Sequence, residues 1–124
     1  VHGMSRPIGA HFHVAHGLSN AMLLPKITEF SIKGSEARYA TCARVMKWAK
    51  ENDSDEVACS KLIENLFILN EDLKVPSPRN LGHSADQEIF KMMASQALAS
   101  GSPQNNPRVP TENQIIQLYQ KIWG

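Results

Sequence analysis

From Leu18 to Ile122 apolar residues return every three or four positions, and nowhere do they alternate with polar ones. This regularity constrains the fold more than any other. A stripe at the helical period lies on one face of a helix, and a chain without alternation has no half-buried strand from which to build a sheet. The fold class it predicts is all-α, a bundle of about five to seven helices forming a single domain over residues 1–124. Residues 16–32 set Leu18, Met22, Ile27 and Phe30 among polar positions, with Gly17 and Pro25 as weak points and Gly34 as the break. Residues 35–50 repeat the pattern with Tyr39, Cys42, Ala43 and Met46.

A third helix is expected from the polar break Glu51-Asn52-Asp53 to about Leu73. Ala58, Leu62, Leu66, Leu69 and Leu73 are its stripe, and Asp53 with Glu56 is spaced as a capping box. The loops KVPSPRNLGH and GSPQNNPRVP bracket a fourth helix. Ser84 with Gln87 starts it, and Ile89, Met92, Met93 and Leu98 give it a buried face. Thr111 with Gln114 is the cleanest capping box and opens a last helix carrying Ile115, Leu118, Tyr119 and Ile122.

Charge narrows the function. Lys and Arg number 13 against 12 Asp and Glu, no five like charges run together, and the formal net charge is +1. Nucleic-acid and membrane partners, which need clustered basic residues, are not expected. The longest strongly apolar run, Ala21 to Leu24, is far short of the roughly 20 residues that cross a bilayer. Histidines stand where a signal peptide would be apolar. Cys42 and Cys59 lack CxxC spacing and read as small buried residues in a reducing compartment, the cytoplasm; a disulfide or a catalytic thiol is the alternative. Neither GxGxxG nor a phosphate-cradling loop is present, so these residues hold no nucleotide fold.

Four of the five histidines crowd into VHGMSRPIGAHFHVAHG. Imidazole is the commonest ligand side chain for zinc, iron, copper and nickel, and such metals often take three or four ligands. Pro7 removes the donor to the Gly3 carbonyl, and His16 then begins a second helix. His2 and His16 can therefore meet, one from each of two packed helices, a geometry that spacing permits rather than dictates. The small residues Gly9, Ala10, Ala15 and Gly17 let backbones approach. Position 6, one turn after His2, holds Arg6, which stays protonated and cannot ligate a metal. His11, His13 and His16 form a compact HxHxxH run, a possible self-contained zinc site, although three ligands on one short loop seldom reach tetrahedral geometry. His83, in a Pro-Gly loop, reads as an ordinary loop residue.

VHGMSRPIGAHFHVAHGLSNAMLLP resembles the second signature of the iron-containing alcohol dehydrogenases, an HxMxHPxGxxxxxPHGxxNAxLLP-like run. The shared positions are His2, Met4, Pro7, Gly9, His16, Gly17, Asn20, Ala21 and Leu23-Leu24-Pro25. Asn106-Pro107-Arg108, Thr111 and Leu118-Tyr119 echo the family's closing NPR…T…LY stretch, whereas residues 35–99 agree only in being helical and in Ala37-Arg38-Tyr39. The resemblance implies a dehydroquinate synthase-like α-domain, truncated at its N-terminus and lacking the nucleotide-binding domain. It implies a divalent metal, Fe2+ or Zn2+, held by an Asp and three His, of which two match His2 and His16. It implies NAD or NADP as hydride carrier, a small alcohol or aldehyde as substrate, and a homo-oligomeric whole enzyme. The chain alone is then expected to be inactive, and a non-catalytic helical binding module is the rival reading.

Two departures from the signature concern chemistry. Arg6 replaces a histidine that many members carry, and is expected to bind an anion on substrate or cofactor, or else to pair with a structural acid. Ala15 replaces a proline, which costs loop rigidity only. His13, three residues before His16, is the expected substrate contact or proton carrier. His11 is expected to be a solvated or packing residue.

Overall fold

The computed structural model describes all 124 residues and contains no strand. Six α-helices follow one another: α1 His2–Phe12, α2 His16–Ser31, α3 Glu36–Val45, α4 Asp55–Asp72, α5 Gln87–Ala99 and α6 Glu112–Trp123. Three 3-10 turns, Ile32–Gly34, Arg79–Leu81 and Ser102–Asn105, join them. No helix is long and apolar enough to cross a membrane.

The packing follows the stripes. α1, α2, α5 and α6 enclose the main core, in which Ile8, Leu23, Met93, Ile115 and Tyr119 are wholly buried. Each such side chain contributes about 1.5–3 kcal/mol relative to exposure. Thr111 caps α6 by accepting from the Gln114 amide, while Gln114 accepts from the Thr111 amide, the full capping box. The Tyr119 hydroxyl donates to the Met4 carbonyl at 2.7 Å and ties α6 to α1. α3 and α4 form a hairpin around a second, smaller core of Ala40, Ala43, Ala58, Cys59, Leu62 and Leu66.

Pro25 shows how the two cores are joined. A proline inside a helix deprives the carbonyl four residues earlier of its donor. That carbonyl belongs to Ala21, and Asn70 of α4 donates to it from its side chain at 2.8 Å. The gap in α2's ladder is thus the socket into which α4 docks, and α2 runs unbroken through Gly17 and Pro25. α1 likewise continues through the buried Pro7.

Several boundaries and faces differ from expectation. α3 ends at Val45, five residues early, because Lys47 takes a left-handed φ of 60° and the Trp48 and Ala49 amides turn back to the Ala43 carbonyl. Met46 is exposed beyond this end, and Cys42 is exposed on the face of α3 opposite its buried Ala40 and Ala43, so it is not the buried residue its stripe suggested. Ser54, not Asp53, caps α4; the Asp53 carboxylate instead accepts from the Lys50 amide and the Lys61 ammonium. The α4 stripe is buried only as far as Leu66, and Leu69 and Leu73 are exposed. An eighteen-residue helix has outrun the ten-residue α3 packed on it. Asp86 rather than Ser84 caps α5, whose core face is Phe90, Met93, Ala94 and Ala97; Met92 is exposed, and Ile89 and Leu98 only half-buried.

Candidate metal-binding site

α1 rises about 16 Å over its eleven residues. His16 must return most of that distance to stand beside His2, and only three residues intervene between the helices. Three features make the return possible. His13 ends α1 in the left-handed conformation, φ 57°, its amide donating to the Gly9 carbonyl. Ala15 is extended, φ −55° and ψ 139°. Gly9 has no side chain, and a Cβ there would lie 3.3 Å from the Val14 carbonyl oxygen that passes over it. The connection therefore doubles back along α1, and the rings of His2 and His16 stack with centroids 4.8 Å apart and planes at 18°.

Each ring sits on the first residue of its helix, and both residues are exposed. Gly3 lets α1's first turn press against the Ser102–Asn105 turn: a Cβ there would stand 3.0 Å from Ser102 Cβ and 3.1 Å from Pro103 Cδ. Ser5 Oγ donates to the His2 carbonyl at 3.1 Å. On α2, one turn below His16, Asn20 brings its amide nitrogen within 3.3 Å of His16 Nε2. Asn20 Oδ1 and Ser19 Oγ beside it are buried without partners. Asn20 had been singled out only as part of a signature; its i+4 spacing from His16 was the legible clue to contact with the ring.

The other named residues are dispersed. Arg6 is exposed, and no carboxylate of this chain pairs with it. The expected alternative, a structural acid partner, has no counterpart among these residues. His13 is exposed and serves the backbone as the α1 cap. His11 is exposed, its ring edge-on to the neighbouring Phe12, and Phe12 in turn touches His83 and Trp123. Nowhere do three His, Cys, Asp or Glu side chains gather as a ligand set. The three histidines of the HxHxxH run do not gather into such a set in this structure. A cavity of about 310 Å³ opens between α1, α2 and α6, but of His2, Arg6, His13 and His16 only His2 reaches it.

Two imidazoles converging at the surface suit the donor chemistry of a first-row divalent metal. Fold and site together define a class: an all-helical domain presenting paired histidines on the N-terminal ends of two consecutive helices. The chain belongs to the Fe-containing alcohol dehydrogenase family, whose C-terminal region it matches over residues 1–123.

Lactaldehyde reductase of Escherichia coli K12 is 34% identical over 123 residues, 99% of this chain and 32% of that protein. The 1,3-propanediol dehydrogenase of Citrobacter freundii is 28% identical over 124 residues, again 99% and 32%. Among solved structures, a 1,3-propanediol oxidoreductase superposes with a TM-score of 0.89 at 28% identity, covering 98% of this chain and 31% of that one. The alcohol dehydrogenase from Oenococcus oeni gives 0.86 at 31% identity, with the same two coverages. The chain spans about a third of the length of the curated relatives it matches.

Proposed function

We propose that these residues form the metal-facing part of an NAD(P)-dependent alcohol dehydrogenase that interconverts a small alcohol and its aldehyde, and that His2 and His16 are two ligands of its divalent iron. One observation carries the reading: imidazoles fourteen residues apart in sequence lie 4.8 Å apart, brought there by the reversal at His13. The family match and the names of the relatives support the reaction class. When bound, iron supplies a Lewis-acid charge that favours the alkoxide of an alcohol or polarises an aldehyde carbonyl, while the nicotinamide exchanges hydride.

The chain's own residues supply orientation and charge. Asn20, whose side-chain amide nitrogen stands 3.3 Å from His16 Nε2, orients the His16 ring. Arg6, on α1 one turn beyond His2 and without an acid partner, binds an anionic group of the substrate through its guanidinium fork. His13, exposed just before His16, carries the proton to or from solvent.

The test uses the whole polypeptide that contains these residues, loaded anaerobically with ferrous iron. His2→Ala and His16→Ala should each lose bound iron and alcohol-dependent reduction of NAD(P). Full iron retention in both variants ends the assignment. Arg6→Ala should lose more activity on 2-hydroxy acids than on simple alcohols, and equal losses on both remove the anion role.

A further inference from the structure

A cleft of about 360 Å³ lies between the C-terminal half of α2 and α6, on the far side of Phe30 and Leu118 from the His2 cavity. Lys26, Lys33, Arg108 and Lys121 line it against one carboxylate, Glu29. The cleft thus carries a formal +3 in a chain whose total is +1. Only Lys26 is paired, with Glu29 at 3.5 Å; Lys33, Arg108 and Lys121 reach no acid. Like charges gathered without counter-charges repel one another, and an anion seated among them relieves that repulsion.

Two of the cleft's donors are already held in place. The Arg108 guanidinium lies over the Phe30 ring, 4.0 Å from its centroid, and Nη1 donates to the Phe30 carbonyl at 3.2 Å. No other protein acceptor meets that guanidinium, so most of its fork faces outward. Gln114 has its amide oxygen committed to the Thr111 amide in the α6 capping box, which leaves the Gln114 NH2 group as a free donor at the cleft. A planar fork, an amide donor and two long ammonium arms match a phosphoryl group, whose oxygens are all acceptors.

We propose that this cleft is a binding site for a soluble phosphoanion carrying two or more negative charges, separate from the histidine pair. At roughly 30 Å³ per water in the liquid, its volume corresponds to about a dozen waters, room for a diphosphate or a small phosphorylated metabolite. Arg108 and Gln114 orient the phosphoryl oxygens, and Lys33 and Lys121 close over them from either side.

Calorimetric titration with sodium pyrophosphate at constant ionic strength tests the proposal. One saturable site per chain is expected. Lys33→Gln combined with Lys121→Gln, both at exposed positions, should weaken binding about tenfold or more, the loss of charge-assisted contacts. Arg108→Lys, which keeps the charge but not the fork, should fall between. Lys50→Gln combined with Lys91→Gln removes the same charge elsewhere and should leave the affinity unchanged. Vesicles bearing phosphorylated inositol lipid, run in parallel, separate the two sources of such a group. Absence of saturable binding, an equal loss in the Lys50/Lys91 variant, or retention on vesicles without binding of free pyrophosphate overturns the proposal.

Discussion

Gly34 is where the fold leaves least room, and replacing it with alanine gives the sharpest test of the packing. The residue ends the turn after α2, and the loop Pro107–Arg108 crosses its α-carbon. A Cβ at this position would stand 2.5 Å from the Pro107 carbonyl carbon and 2.8 Å from the Arg108 nitrogen, with the Pro107 oxygen nearer still. Ordinary contact begins near 3.4 Å, so one backbone must move by about 1 Å relative to the other. The loop is anchored on α2 by short bonds that tolerate no such shift. Asn106 donates to Ser31 Oγ at 2.8 Å, and Arg108 donates to the Phe30 carbonyl at 3.2 Å.

Overpacking of this kind costs about 1–3 kcal/mol. Two lost hydrogen bonds add about 1 kcal/mol each. The stiffer unfolded chain returns about 0.4–1 kcal/mol. The net destabilisation is about 3 kcal/mol, and for 124 residues at ~2.1 cal/mol/K per residue it lowers Tm by about 12 °C. Differential scanning calorimetry of Gly34→Ala measures it. Gly17→Ala is the control, because a Cβ there meets nothing within 4 Å and alanine in a helix should raise Tm. A Gly34→Ala melting point equal to or above that of the parent refutes the reasoning.

Tyr119→Phe removes the hydroxyl that ties α6 to the Met4 carbonyl while filling the same space; a loss of about 1 kcal/mol, about 4 °C in Tm, is expected from the thermal melt. The Asp53 carboxyl is held below its usual value by the Lys61 ammonium hydrogen bond and then by the Lys50 amide. A depressed folded-state value adds stability that is present above pH ~3.8 and is lost as pH falls through the lower folded value. Urea midpoints of Asp53→Asn should therefore vary less steeply with pH below about 4 than those of the parent. Burial, reinforced by Glu36, raises the Cys59 thiol, whereas Cys42 is exposed. With a disulfide reagent near pH 8, Cys42 should react at once and Cys59 only on unfolding, and simultaneous reaction of both contradicts the packing of the α3–α4 hairpin.

How much of this could be read from residue order depends on whether the deciding interaction was local. The Thr111–Gln114 capping box, the start of α2 at His16 and the core face of α6 rest on neighbours within one or two turns, and all are as the sequence indicates. The ends of α3 and α4 are not. Lys47 adopts a backbone conformation that a lysine rarely takes, and the exposure of Leu69 and Leu73 follows from the length of another helix. Pro25 looked like a weakness in isolation and becomes a docking point once Asn70, forty-nine residues away, is brought to the Ala21 carbonyl. The cationic cleft was invisible for the same reason: Lys26, Lys33, Arg108 and Lys121 are spread over almost the whole chain.

The histidine pair falls between these extremes, and the reason lies in the connection rather than in the ligand spacing. On one continuous helix positions 2 and 16 would stand about 21 Å apart along the axis, and a loose loop would set no distance at all. The observed approach needs α1 to stop about two and a half turns past Gly3, His13 to reverse the chain, and the Val14 carbonyl to pass over a residue without a side chain. Gly9 therefore contributes to the approach of the two rings without being one of them. A Cβ at position 9 would stand 3.3 Å from the Val14 carbonyl oxygen, so the connection would have to give by a few tenths of an ångström while both histidines remained in the sequence. Spacing alone thus records which residues take part, and the left-handed His13 with the close pass over Gly9 sets how near they come.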